Sequence, residues 1–150
     1  MVHACKCFNF PGGNIMISRL FLALNAIATG LIALAYLYDP NLLLARYGLE
    51  TGSPGMDNML RSTYGGLYLV LAALFATGVF VAKRRRDALI FLLLFMGGNA
   101  IGRTASIVFA GMPPQSIMPL LAYEVVVAVV AGILAVRSQS RDKQGVQSGQ

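Results

Sequence analysis

Along this chain the apolar residues neither recur at the spacing of a surface helix nor alternate as in a half-buried strand. They run on. Four stretches stand out, at about 15–38, 58–82, 88–110 and 117–136, each broken by only a few polar positions. Each has roughly the 20 residues that carry a helix across ~30 Å of hydrocarbon. In lipid the backbone polar groups must be satisfied internally, and a helix does so within one segment. A membrane β-barrel would show polar–apolar alternation instead. The pattern predicts an all-α polytopic membrane protein, with four transmembrane helices forming a small bundle over 15–136.

Arg19 and Asn25 interrupt the first stretch, and Ala26-Ile27-Ala28 resembles a signal cleavage site. The apolar run continues through Ala35, however, beyond the ~7–15 residues of a signal core. An uncleaved span is expected. The connections carry their own signals. In segment 39–57, Asp39-Pro40 opens and Gly48 closes a run containing Leu42, Leu43 and Leu44. Asp suits an N-cap, Pro the first turn and Gly the C-cap. The expectation is a short interfacial helix after the first span, with its leucines in the membrane surface. Ser53-Pro54 looks like the start of the second spanning helix. Lys83, Arg84, Arg85 and Arg86 form a tight basic turn, with Asp87 placed to cap the third span. Residues 1–14 read as an unstructured extension or an upstream start. Residues 137–150 read as a disordered polar tail.

Composition narrows the class further. The 150-residue chain is 57% hydrophobic and 12% charged, where soluble domains average about 45–50% and 25%. An ordinary water-soluble globule does not fit, nor does disorder over most of the chain. The single histidine, His3, and both cysteines, Cys5 and Cys7, precede the apolar body. A Ser-His-Asp triad, a Cys-His pair, bis-His haem and a Cys-ligated Fe–S cluster all lack parts. No metal site and no cofactor are expected. There is no Trp, so an interfacial aromatic belt must come from Tyr.

The net charge of +6 is mostly a topology signal. With four spans, the N-terminus, the 83–86 turn and the C-terminal tail share one side. That side holds Lys6, Arg19, Arg137, Arg141 and Lys143 besides the basic turn, while the other holds Arg46 with Asp39, Glu50 and Asp57. The positive-inside rule places both termini in the cytoplasm. Four basic residues in a tight turn are a poor nucleic-acid footprint, so membrane lipids are the expected partner.

Polar residues inside the spans carry most of the functional information. Arg103 lies seven residues before Ala110, and Glu124 seven after Ile117. Both are then ~10 Å below the same face. Helices joined by a short turn pack antiparallel, so the two side chains can meet and spare each other the cost of an isolated charge. Asn99 precedes Arg103 by one turn. Arg61, Tyr64, Gly65 and Tyr68 share an α-helical face on the second span. The expected result is an intramembrane cluster of Arg61, Tyr64, Asn99, Arg103 and Glu124, with net positive charge and an outward opening. Three readings stand: structural glue between helices, a ligand or substrate site, and an ion or proton path. Gly98 and Gly102 form a GxxxG pair, and Ala26/Gly30 and Ala128/Gly132 repeat the spacing. Such pairs pack helices closely, within this bundle or in a homo-oligomer.

Asp39-Pro40, Arg61 with Tyr64-Gly65-Gly66, Gly102-Arg103 and Glu124, in this order and spacing, resemble the bacterial membrane proteins grouped as domain of unknown function 4345. The resemblance covers roughly 16–136. It implies a four-helix bacterial inner-membrane protein and assigns no activity. In architecture the chain is distantly similar to DoxX-like small membrane proteins, some of which associate with redox enzymes. The expected role is a binding or accessory subunit built around the polar cluster, with a lipophilic small molecule or another membrane protein as partner. One alternative is an isomerase-like enzyme on a lipophilic carbonyl or lipid substrate, with Glu124 as general acid/base. Another is an oligomeric proton-coupled transporter, for which the cytoplasmic half offers only Asn25.

Overall fold

The structure, a computed structural model, describes the backbone of residues 13–147 and the side chains of 15–138. Among them there is helix and no strand. Four helices are long and apolar enough to cross a membrane: Ile15–Tyr38, Pro54–Phe80, Ala82–Ala110 and Met118–Ser138. Most of the expected extension, with His3, Cys5 and Cys7, lies outside the described residues.

Helix α1, Gly13–Tyr38, contains no proline and stops where Asp39-Pro40 follows. A residue before proline is driven out of the helical region. The Asp39 carboxylate then accepts from the Asn41 N–H at 2.9 Å. That bond starts the short helix α2, Asn41–Leu44, which runs into a 3₁₀ turn at Ala45–Tyr47. Gly48 closes it at φ 70°, a left-handed conformation that glycine adopts without a Cβ clash. The Asn41 side chain accepts from the Thr51 N–H at 3.1 Å and ties the returning loop to α2. Ser53 caps the next helix, its hydroxyl accepting from the Met56 N–H at 3.3 Å, with Pro54 in the first turn.

The second spanning helix therefore begins at Pro54, where Ser53-Pro54 placed it and four residues before the apolar stretch expected from about 58. It is built of α3, Pro54–Leu60, a π-helical segment, Arg61–Leu67, and α4, Tyr68–Phe80. A 3₁₀ turn at Ala82–Arg84 leads into α5, Arg85–Ala110. Asp87 sits inside the first turn of α5 and does not cap it; the N-cap is Arg84, without a side-chain bond. The carboxylate still favours the positive end of the helix dipole. Arg85 reaches back, its Nε donating to the Gly78 carbonyl at 3.2 Å. Helix α5 ends at Gly111, φ 86°, before Pro113-Pro114. The last helix, α6, is Met118–Gln147. The polar segment expected to be disordered from 137 thus continues the helix through Gln147.

The helices pack in sequence: α1 on the second span, α4 on α5, and α5 on α6. The fully packed core lies in the half of the bundle near the 82–84 turn. There Leu22, Phe75, Leu89, Leu92 and Ala131 are completely buried. Two glycines let backbones approach. A Cβ on Gly78 would lie 2.5 Å from the Ala88 Cβ and 2.9 Å from Leu22 Cδ1. A Cβ on Gly65 would lie 2.7 Å from Leu37 Cγ and Cδ2. Gly132 makes ordinary contact with Leu93, 3.7 Å away. Gly98 and Gly102, in contrast, face open space with nothing within 4 Å. Their GxxxG pair does not pack this bundle, because that side of α5 points away from its neighbours.

Candidate functional site

The other half of the bundle holds a cavity of about 350 Å³. Each element contributes for a local reason. Helix α5 stacks Asn99 and Arg103 one turn apart, and α6 brings Glu124 to the same level. Arg103 Nε donates to both carboxylate oxygens, at 2.8 Å to Oε1 and 2.9 Å to Oε2. The Glu124 side chain is 9% exposed and that of Arg103 37%. The carboxylate has lost its water and depends on this charge-assisted bond. Among the described residues the two terminal amino groups of Arg103 donate no hydrogen bond. The Asn99 carboxamide is unpartnered in the same sense and also lines the cavity.

Tyrosines form much of the wall. Tyr36 stacks on Tyr64 with ring centres 5.0 Å apart. Tyr64 meets Tyr68 edge-on at 5.3 Å, and Tyr68 meets Phe95 edge-on at 5.0 Å. Each such contact adds ~0.5–1.5 kcal/mol beyond burial, so the wall is ordered without hydrogen bonds. On the opposite wall the Tyr123 hydroxyl donates to Asn25 Oδ1 at 3.2 Å. Asn25 is buried, and its amide donates to the Phe21 carbonyl at 2.8 Å. Leu43, Leu44 and Tyr47 from the α2 segment close the cavity at the loop end. Leu43 and Leu44 are half-buried against the cavity, and Leu42, 54% exposed, is the leucine of this short helix that faces outward.

Of the expected cluster, the structure unites Tyr64, Asn99, Arg103 and Glu124, and leaves Arg61 out. Arg61 turns to the outside, where Nη2 donates to the Tyr38 carbonyl at 3.5 Å, at the C-terminal end of α1. The π-helical segment is the cause. Its i→i+5 bonding advances each residue through a smaller rotation than an α-helix. Over three residues this separates Arg61 from Tyr64, while Tyr64 and Tyr68 still meet. The net positive charge expected for the site goes with Arg61. The charged groups lining the cavity are Arg103 and Glu124, which sum to zero.

These elements, from α1 to the buried turns of α6, make one continuous unit, and a single family description spans it. The chain belongs to the family described as Domain of unknown function (DUF4345), whose model matches residues 17–135. No curated protein and no solved structure matches the chain. The matched region holds all the cavity residues and excludes the helical extension beyond 135. Tyr36, Tyr47, Tyr68 and Tyr123 were not among the expected site residues. The signal was present: five of the chain's six tyrosines line the cavity, and only Tyr38 does not. An amphipathic ring suits a membrane interface as well as a pocket wall, so residue type alone favoured a belt.

Proposed function

We propose that this multi-pass membrane protein binds a neutral lipophilic molecule carrying a carbonyl or hydroxyl oxygen. The observation that carries this reading is the unspent hydrogen-bonding capacity of Arg103 at the wall of an aromatic cavity. The volume lies at the lower end of the ~300–1,000 Å³ typical of ligand sites, and the lining is mostly apolar with a few convergent polar groups, as such sites are. Structural glue would need the pair but no cavity beside it. Charge balance argues for a neutral guest. A second anion in this low-dielectric site would meet the Glu124 carboxylate as well as Arg103. An uncharged oxygen can accept from the terminal amino groups and leave the pair intact.

Catalysis by Glu124 is less well supported, because both of its oxygens are engaged as the counter-ion of Arg103. Transport is less well supported, because Phe75, Leu89 and Leu92 are wholly buried in the other half of the bundle, where the buried polar groups of α1 are the uncharged Ser18 and Asn25. The basic turn at 83–86 argues for that end lying in the cytoplasm of a bacterial inner membrane, with both termini. The reading is tested by native mass spectrometry of gently extracted protein. The wild type is compared with the double variant Arg103→Gln/Glu124→Gln, which removes both charges without orphaning either. A small neutral molecule present on the wild type and lost from a folded double variant is expected. Identical bare spectra would leave the pair as glue.

A further inference from the structure

We infer that the guest reaches the cavity from the bilayer, sideways through the seam between α1 and α6. On this inference it is a slender-chained amphiphile whose polar oxygen stops at Arg103 while its chain trails into the lipid. This rests on the binding reading above and adds the class of molecule and its route. Three of the four seams around the bundle are packed: α1 with the second span, α4 with α5, and α5 with α6. Helices α1 and α6 approach each other least closely of the four neighbouring pairs, and the core they share lies toward the 82–84 turn, away from the cavity. Leu43, Leu44 and Tyr47 line the cavity at the loop end, which leaves the loosely packed seam as the lateral way in.

The seam has the chemistry of lipid. Ala28 and Ile32 line the cavity from α1, and Leu120 and Tyr123 from α6. Ile32 is 39% exposed and Tyr123 45%, so both rims reach the outside of the bundle. Ile32 lies six residues from Tyr38, which ends the α1 span, and Glu124 six from Met118, where the α6 span begins. At ~1.5 Å per residue the seam is ~9 Å inside each helix end, within hydrocarbon. Among the described residues the Tyr123 hydroxyl donates to Asn25 across it, a neutral latch that a rotamer change opens. At 350 Å³ the cavity takes a head group and a short run of chain, and the remainder must leave by the seam.

The test uses the full chain in lipid vesicles. The probe is a long-chain methyl ketone with a photoreactive diazirine midway along its chain, dissolved in the bilayer. A short-chain, water-soluble ketone with the same reactive group is supplied in the buffer. Labelled residues are mapped by mass spectrometry, and folding of each variant is checked by circular dichroism. The long-chain probe is expected to mark Ala28, Ile32, Leu120 and Tyr123. Labelling should fall about tenfold, equivalent to ~1.4 kcal/mol, in Arg103→Gln/Glu124→Gln and in Leu120→Trp, which narrows the seam. Val126→Trp, on the exposed face of α6 and outside the cavity lining, should leave it unchanged. Should Leu120→Trp not fold, Ile32→Trp narrows the seam from the opposite rim. Preferential labelling by the short ketone, blocked by Leu44→Trp and not by the seam variants, would overturn the lateral route and keep the binding reading. Long-chain labelling that ignores the charge pair would be lipid contact only and would overturn both.

Discussion

Arg103 holds Glu124 by its Nε alone, at 2.8 and 2.9 Å from the two carboxylate oxygens. The two terminal amino groups make no hydrogen bond to the carboxylate. A pair built only for stability would gain more from the bidentate arrangement, in which two parallel N–H groups meet two oxygens. The geometry observed keeps the carboxylate satisfied and the terminal amino groups outside the pair.

The two partners differ in exposure, so their single variants should differ in cost. Arg103→Gln strands a carboxylate that is 9% exposed, whereas Glu124→Gln strands a guanidinium that is 37% exposed. Breaking a buried pair from one side costs about 3–5 kcal/mol, and the partial exposure of Arg103 reduces this. Melting in detergent should rank Arg103→Gln least stable, Glu124→Gln intermediate, and the double glutamine variant above Arg103→Gln. Equal losses for both single variants would mean that the carboxylate is not dependent on its partner.

The pair itself was legible without coordinates. Equal spacing of Arg103 and Glu124 from a short turn sets equal depth, and antiparallel packing does the rest. The four spans were legible for the same kind of reason, since the length of an apolar run is tied to bilayer thickness. Arg61 was misplaced because its face was read at α-helical pitch, and a π-helical segment is not visible in residue periodicity. The glycines show a related limit. GxxxG spacing places Gly98 and Gly102 on one face, but which face meets a neighbour depends on the rotation of the whole helix. Gly78, outside any such pair, is the closest approach among the described glycines. Leu43 and Leu44 fit a cavity wall and a membrane surface equally well by composition.

Topology gives a second prediction. The basic turn should hold the 82–84 end on the cytoplasmic side. An alkaline phosphatase fused after Gln150 is expected to be inactive, and one inserted at Gly52 active. Replacing Lys83, Arg84 and Arg86 with Gln should weaken this bias, because K/R excess near span ends sets orientation. Arg85 is left unchanged, since its bond to Gly78 is part of the fold. Activity of the C-terminal fusion in the unaltered protein would reverse the assignment.

The latch at the seam gives a third. Tyr123→Phe removes the bond to Asn25 and little else, because the ring keeps its place beside the cavity. Hydrogen bonds between membrane helices average ~0.6 kcal/mol, so the melting temperature should move only slightly. Exchange of a bound guest should become faster while Arg103 and Glu124 stay paired. The measurement is the off-rate of the diazirine ketone probe, compared with the wild type. An unchanged rate would show that the bond does not restrain the seam.

Glycine-to-alanine changes should separate packing from appearance. At Gly78 the new methyl would meet the Ala88 Cβ at 2.5 Å, and Arg85 Cα lies 3.4 Å away. Neither atom can turn aside, so α4 and α5 must part, at the ~1–3 kcal/mol typical of overpacking. At Gly65 the obstacle is the flexible end of Leu37, with its backbone N 3.4 Å off. Leu37 is 40% exposed and can swing toward the outside, so a smaller loss is expected there. At Gly98 and Gly102 nothing lies within 4 Å. Alanine there should be neutral or stabilising, by up to ~1 kcal/mol of helix propensity. The order of melting temperatures in detergent, Gly78→Ala lowest and Gly98→Ala highest, checks the whole arrangement at once. A large loss at Gly98 or Gly102 would mean that this side of α5 meets another chain.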